Sequence, residues 1–137
     1  MSYGVSSALQ SAIYTRLTSD PALAALVGTA IYDALPAGAL PSLYVALGPE
    51  DVRPAHDKTG GGAWHRLRLS VVTDGAGFQA AKEVAGAISD ALADAPLPLS
   101  RGRVAAINFH RARARREGSG DIRRIDLVFR ARTEDIH

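Results

Sequence analysis

RLRLSVVTDGAGFQAAKEVAGAISDAL, residues 66–92, changes its hydrophobic period halfway along. Leu67, Leu69 and Val71 alternate with Arg66, Arg68 and Ser70, the two-residue repeat of a strand buried on one face. After Asp74, read as an N-cap, Phe78, Ala81, Ala85, Ile88 and Leu92 recur three and four apart. Gln79, Lys82, Glu83, Asp90 and Asp94 fall between them. This second repeat predicts a helix with one apolar face, which Pro96 and Pro98 prevent from continuing. A half-buried strand leading into an amphipathic helix points to helices packed on a sheet.

Upstream, Val5, Leu9, Ala12, Ile13 and Leu17 predict an amphipathic first helix ending near Ser19. Asp20-Pro21 reads as an N-cap with proline at the first helical position, and Gly28 stops the short helix that follows. Ile31-Tyr32 and Leu43–Leu47 are short β-type runs. Gly48 to Gly62 is rich in glycine, proline and charge without periodicity, and predicts a long flexible loop, 48–62. Downstream, Arg103–Arg116 and Ile122–Arg132 predict a basic β-hairpin, 103–132, around Glu117-Gly118-Ser119-Gly120-Asp121. The expected fold is a single α+β domain over residues 1–137. It is two-layered, with a mainly antiparallel sheet, two long helices on one face, and element order α-α-β-β-β-α-β-β.

In the first hairpin strand, simple alternation puts Ile107 and Phe109 on the same face as Arg111, Arg113 and Arg115. An apolar row that turns basic marks either a hairpin tip running past its own domain or a solvated strand end. Leu43–Leu47 is apolar on both faces. It is covered either by a neighbouring subunit or by its own domain.

The 137 residues contain no cysteine, which excludes disulfides, cysteine–zinc sites, iron–sulfur clusters and a thiol nucleophile. Neither a secretory leader nor a run of about 20 apolar residues is visible, so the chain reads as cytoplasmic and soluble, with no membrane partner. The net charge of +2 is unevenly spread. Residues 101–132 hold ten arginines against Glu117, Asp121 and Asp126, a net +7, whereas residues 1–50 carry −2. Fourteen of the sixteen bases are arginine, whose planar fork suits carboxylate and phosphate. A GC-rich genome produces the same bias.

His56, His65, His110 and His137 lack metal-helix spacing, and no metal or cofactor is expected. Lys58-Thr59-Gly60-Gly61-Gly62 reverses the order of a phosphate loop and leads into a strand. No Gly-x-Ser-x-Gly elbow occurs, and Glu50-Asp51 reads as part of the polar loop. No catalytic residue is assigned, and the expectation is that the chain is not an enzyme. The arginine-rich hairpin also suits phosphate contact, so a small nucleic-acid-binding module is the alternative. Phe109 and Phe129 fit core positions, which disfavours base stacking.

The order of helix, turn and strand resembles the tail-completion proteins of long-tailed phages and gene transfer agents, also called tail terminators or head-to-tail joining proteins. The resemblance rests on Ala8–Leu17, Asp20-Pro21-Ala22-Leu23, Leu26-Val27-Gly28, Ile31–Pro36 and Leu40–Gly48. It continues more loosely through the strand from Trp64, the helix Phe78–Leu92 and the hairpin ending Phe129–Glu134. It implies a structural subunit forming a homohexameric ring on the tail tube protein. That ring stops tube growth and joins the tube to the head connector or stopper protein, while DNA passes through its lumen. Assembly in the host cytoplasm, then residence at the head–tail junction of the particle, follows from the same resemblance. The family offers no active site to carry over. The residues assigned to partner contact are Arg111, Arg113, Arg115 and Arg116, the strand residues Leu43, Val45 and Leu47, and the loop residues Asp57 and Lys58.

Overall fold

The computed structural model describes residues 3–55, 61–93, 96–118 and 120–135. Helix α1 (Ser6–Thr18) buries Leu9, Ile13 and Leu17, as their spacing predicts. Asp20 accepts a hydrogen bond from the Leu23 N–H at 3.0 Å, and Pro21 opens α2 (Pro21–Val27). One device satisfies an orphan donor and the other removes one. Gly28, at φ 60°, ends α2 where a side chain would be strained. There follow β1 (Ile31–Tyr32), β2 (Leu43–Pro54), β3 (Gly62–Thr73), α3 (Gln79–Ala93), β4 (Arg103–Glu117) and β5 (Ile122–Glu134).

The strands form one sheet in the order β1-β2-β3-β5-β4. The α+β class holds, and the sheet is mixed, because β1 pairs parallel to β2 while the other pairs are antiparallel. Val45, Leu67, Leu69, Val71, Ile125, Leu127 and Phe129 project from one face. They meet Leu9, Ile13 and Leu17 of α1 and Val84, Ile88 and Leu92 of α3 in a single core. Burying each such side chain contributes about 1.5–3 kcal/mol.

Three expectations are corrected. The first part of the loop expected at 48–62 is strand, since β2 continues to Pro54, and residues 56–60 lie outside the described residues. Its register jumps from Leu47↔Leu69 to Glu50↔Leu67, leaving Gly48 and Pro49 together opposite Arg68. This is a β-bulge, and its composition imitates a loop. A Cβ on Gly48 would lie 2.9 Å from the Arg68 carbonyl. Pro49 sits beyond the reach of β1, on an open edge where a missing N–H costs little. The second correction concerns Asp74, which lies upstream of α3 and does not cap it. Its N–H donates to the Ser42 carbonyl at 3.0 Å, and the Phe78 carbonyl accepts the Lys82 N–H at 2.8 Å.

The third correction is the largest. In β4, Phe109 pairs with Phe129, but Arg111 pairs with Val128, so His110 is an extra residue at a bulge. The bulge exchanges the faces. Ala112 and Ala114 continue the apolar row, and Arg111, Arg113 and Arg115 turn to the side away from the helices. Nor does the hairpin run far past its domain. Thr73 of β3 pairs with Arg123, Arg123 pairs with Arg116, and one registered pair, Glu117↔Ile122, lies beyond.

At the opposite end of the strands, Gly102 adopts φ 70°. A Cβ there would stand 2.5 Å from the Glu134 carbonyl and 2.8 Å from Val5 Cγ2. Glycine is required twice over, by conformation and by space. Arg101 next to it grips Asp135 with two hydrogen bonds of 2.9 Å.

Candidate functional site

Directly paired residues on neighbouring strands share a face, so the register defines what the helix-free side of the sheet carries. Read across β2, β3, β5 and β4, one rank is Arg53, Trp64, Arg132, Ala106, and the next is Asp51, Arg66, Arg130, Asn108. Arg68, Val128 and Arg111 follow. Then come Ala46, Ser70, Asp126, Arg113, and finally Tyr44, Val72, Arg124, Arg115. With Arg103 opposite Glu134, ten arginines occupy this face. The acids sharing it are Asp51, Asp126, Glu134 and Glu117, so most of the protein's positive charge lies on one side of one sheet.

The arginines are held in different ways. The Arg130 guanidinium lies 3.8 Å from the centre of the Trp64 ring, and that of Arg132 lies 5.8 Å away. Such cation–π stacking holds a guanidinium flat against the sheet. Arg124 donates to Asp126 Oδ1 at 2.9 Å and to Ser70 Oγ at 3.0 Å, and Ser70 donates to the same carboxylate oxygen at 2.6 Å. Arg115 stands 3.7 Å from Asp126 Oδ2. Burial alone would raise the Asp126 carboxyl. Hydrogen bonds from Ser70 and Arg124, with the charges of Arg124 and Arg68, outweigh it and hold the group below its ordinary value. Asp126 is therefore a fixed negative charge among positive ones. Arg68, Arg111, Arg113 and Arg115 surround it in a depression of about 490 Å³. Among the described residues, Arg66, Arg68, Arg111 and Arg113 have no carboxylate in ion-pair contact. These four remain available to an external anion.

A second polar cluster lies on the helix side. The bulge at Gly48-Pro49 turns Glu50 inward, in contrast to its expected place in a polar loop. Tyr3 donates to its carboxylate at 2.6 Å, as does the Ser6 hydroxyl. His65, fully buried, places Nδ1 3.5 Å from Glu50 Oε2 and Nε2 3.0 Å from Thr133 Oγ1. Burial lowers the His65 pKa more than Glu50 raises it, so the ring is kept neutral. Burial also opposes Glu50 ionisation, but hydrogen bonds from Ser6 and Tyr3 and the nearby His65 ring hold its carboxyl below the usual value. The cluster ties the start of α1 to β2, β3 and β5.

The residues expected at partner contacts divide. Arg111, Arg113 and Arg115 stand together on the open face. Arg116, one residue on, turns away and donates to the Gly120 carbonyl at 3.2 Å. Val45 is fully buried, and Leu43 and Leu47, partly buried, pack against the same core. Asp57 and Lys58, with His56, lie outside the described residues. Sequence reasoning missed Trp64, Arg66, Arg68 and Arg130 as members of the site. Their alternation was visible in each strand, but the register that sets β3 beside β5 was not.

The sequence profile of the family described as Tail completion protein gp17 matches residues 11–134. A chain from a solved structure, the virion of a native gene transfer agent (GTA) particle, is 60% identical, with a TM-score of 0.92. The match covers 97% of this chain and 99% of that one. None of the curated proteins compared with it matches. An arginine face on a fold matched over 97% of the chain by a virion component accords with a part that works by contact. The chain belongs to the tail completion protein family, whose members are structural virion proteins and not enzymes.

Proposed function

We propose that this chain is a tail terminator: six copies form a ring on the last ring of the tail tube, stop its growth and join it to the head connector. In this reading the protein is a component of a gene transfer agent particle or a related phage, and DNA passes through the ring's lumen. The observation that carries the proposal is the near-complete match, at 60% identity, to a chain of a gene transfer agent virion. Arg68, Arg111 and Arg113 meet acidic protein surfaces of the tube or connector, where a planar guanidinium pairs best with carboxylates, and Arg115 lines the same depression beside Asp126.

Electron microscopy of the protein mixed with tail tubes tests the proposal. A sixfold cap at one end is expected, and tubes that stay open overturn it. Serine at Arg111, Arg113 and Arg115 should abolish capping while leaving the melting temperature nearly unchanged. Serine at Arg116 should leave capping intact, because that side chain faces away from the other three.

The ten arginines spread across four strands favour a second reading, in which the same face binds duplex DNA through its phosphates. Salt-titrated binding separates the two. Tight binding that falls steeply as salt rises supports the DNA reading, and weak binding accompanied by tube capping supports the terminator.

A further inference from the structure

Residues 34–41, between β1 and β2, read Ala-Leu-Pro-Ala-Gly-Ala-Leu-Pro, and every one is exposed. Leu35 is 52% and Leu40 40% accessible, and the stretch carries no charge. Surface loops are ordinarily polar, and a continuous apolar stretch in water marks a contact waiting to form. The far end of the sheet holds the matching feature. There α3 leaves the outer part of the hairpin uncovered, and a groove of about 350 Å³ opens between Gly86, Ser89, Phe109, Ala112 and Ala114, with Leu127 in its floor. Phe109 is 52% accessible at its margin.

One molecule cannot close this contact on itself. The sheet order places the arm beside β1 and β2 and the groove beside β4. Three inter-strand intervals separate β1 from β5, whose Leu127 floors the groove, and a fourth leads to β4, a span of about 14–19 Å. The arm, tethered at both ends, reaches about four residues outward, or about 13 Å. Charge follows the same polarity. The β1–β2 end carries the exposed Asp33 and Asp51 against Arg53, whereas β4 carries five arginines against Glu117. Both ends also present open strand edges. Among the described residues, β4 pairs with β5 alone, and β2 beyond Ala46 pairs with β3 alone.

We propose that residues 34–41 of one copy seat in the groove between α3 and β4 of a second copy, the acidic end of each sheet meeting the basic end of the next. Two different patches are used, so the contact is heterologous, and repeating it closes a ring when the rotation allows. The inference rests on the self-association of the terminator reading and supplies its interface, without fixing the number of copies.

The absence of cysteine gives a clean test. A chain carrying both Leu35→Cys and Ala112→Cys, treated with an added oxidant in the presence of tail tubes, should give a ladder of disulfide-linked multimers on a denaturing gel. The control pair Leu35→Cys and Thr18→Cys should not. Gly86→Leu fills the groove without disturbing the fold, since nothing lies within 4 Å of a Cβ there. Together with Leu35→Asp and Leu40→Asp, it should raise the concentration needed for assembly at least about tenfold, given the apolar burial lost. Capped tubes without the ladder overturn the arm contact and leave the terminator reading standing. Uncapped tubes without the ladder overturn both. Cross-linking to tube protein instead of a second copy gives the groove a different occupant and overturns the self-contact.

Discussion

His65 shows how a single side chain couples the fold to pH. Its ring is fully buried, touches Thr133 and Glu50, and is kept neutral. With the folded pKa lowered, the unfolded chain binds more protons once the pH drops below about 6.5, so folding stability falls there. Glu50 acts in a separate and lower window. Its carboxyl is also held down, so its contribution is present above the carboxylate range and lost as pH falls through it. Chemical denaturation should show lower stability at about pH 5.5 than at about pH 7.5. His65→Gln should flatten that difference, and an unchanged difference would assign it to other groups. None of this contact was legible in the sequence, where His65 takes one place in the apolar phase of Ala63, Leu67 and Leu69 and Glu50 sits after a glycine and a proline.

Bulges decide the architecture at the scale of the strand. Periodicity located α1, α3 and the strand from Trp64, because each keeps one period over many residues. It failed at Gly48-Pro49 and at His110, where one or two extra residues break the repeat without ending the strand. Alternation through His110 sends the arginines into the apolar row, and the bulge sends them out of it. Deletion of His110 should therefore be tolerated. The shortened strand alternates regularly and leaves Phe109, Ala112 and Ala114 facing the helices. Inserting one residue after Arg111 should instead carry Arg113 and Arg115 into the groove beside Phe109 in place of Ala112 and Ala114, set charge against Ile125 and Leu127, and lower the melting temperature. Circular dichroism melts of the two variants decide the matter. Equal behaviour would mean that face assignment does not depend on this residue.

For the molecule as a whole, the sequence revealed a basic segment, and the fold revealed a basic plane. Arginines on β2 and β3 lie far along the chain from those on β4 and β5, yet the register makes them one surface. Docking that depends on such a plane should weaken as ionic strength rises, because exposed charges are screened over about 8–10 Å at physiological salt and over much less at higher concentrations. Sedimentation of the protein with tail tubes across a salt series measures this. Docking that is indifferent to salt would overturn the part given to the arginine plane in it. The arginine excess was plain in the composition. Its planarity was not, since strand pairing is a long-range property that no local pattern encodes.

The crowding at Gly102 has a topological meaning. Val5 and the Glu134 carbonyl both press on that glycine, and Arg101 clasps Asp135. The first helix and the last strand thus meet at one corner, at the far end of the strands from the turn at 118–121. Val5, among the first described residues, and Glu134-Asp135, among the last, therefore lie together, clear of the hairpin turn. A short linker joining the two would convert the chain into a loop that can be reopened at that turn, giving a circular permutant with its ends transferred to the opposite rim.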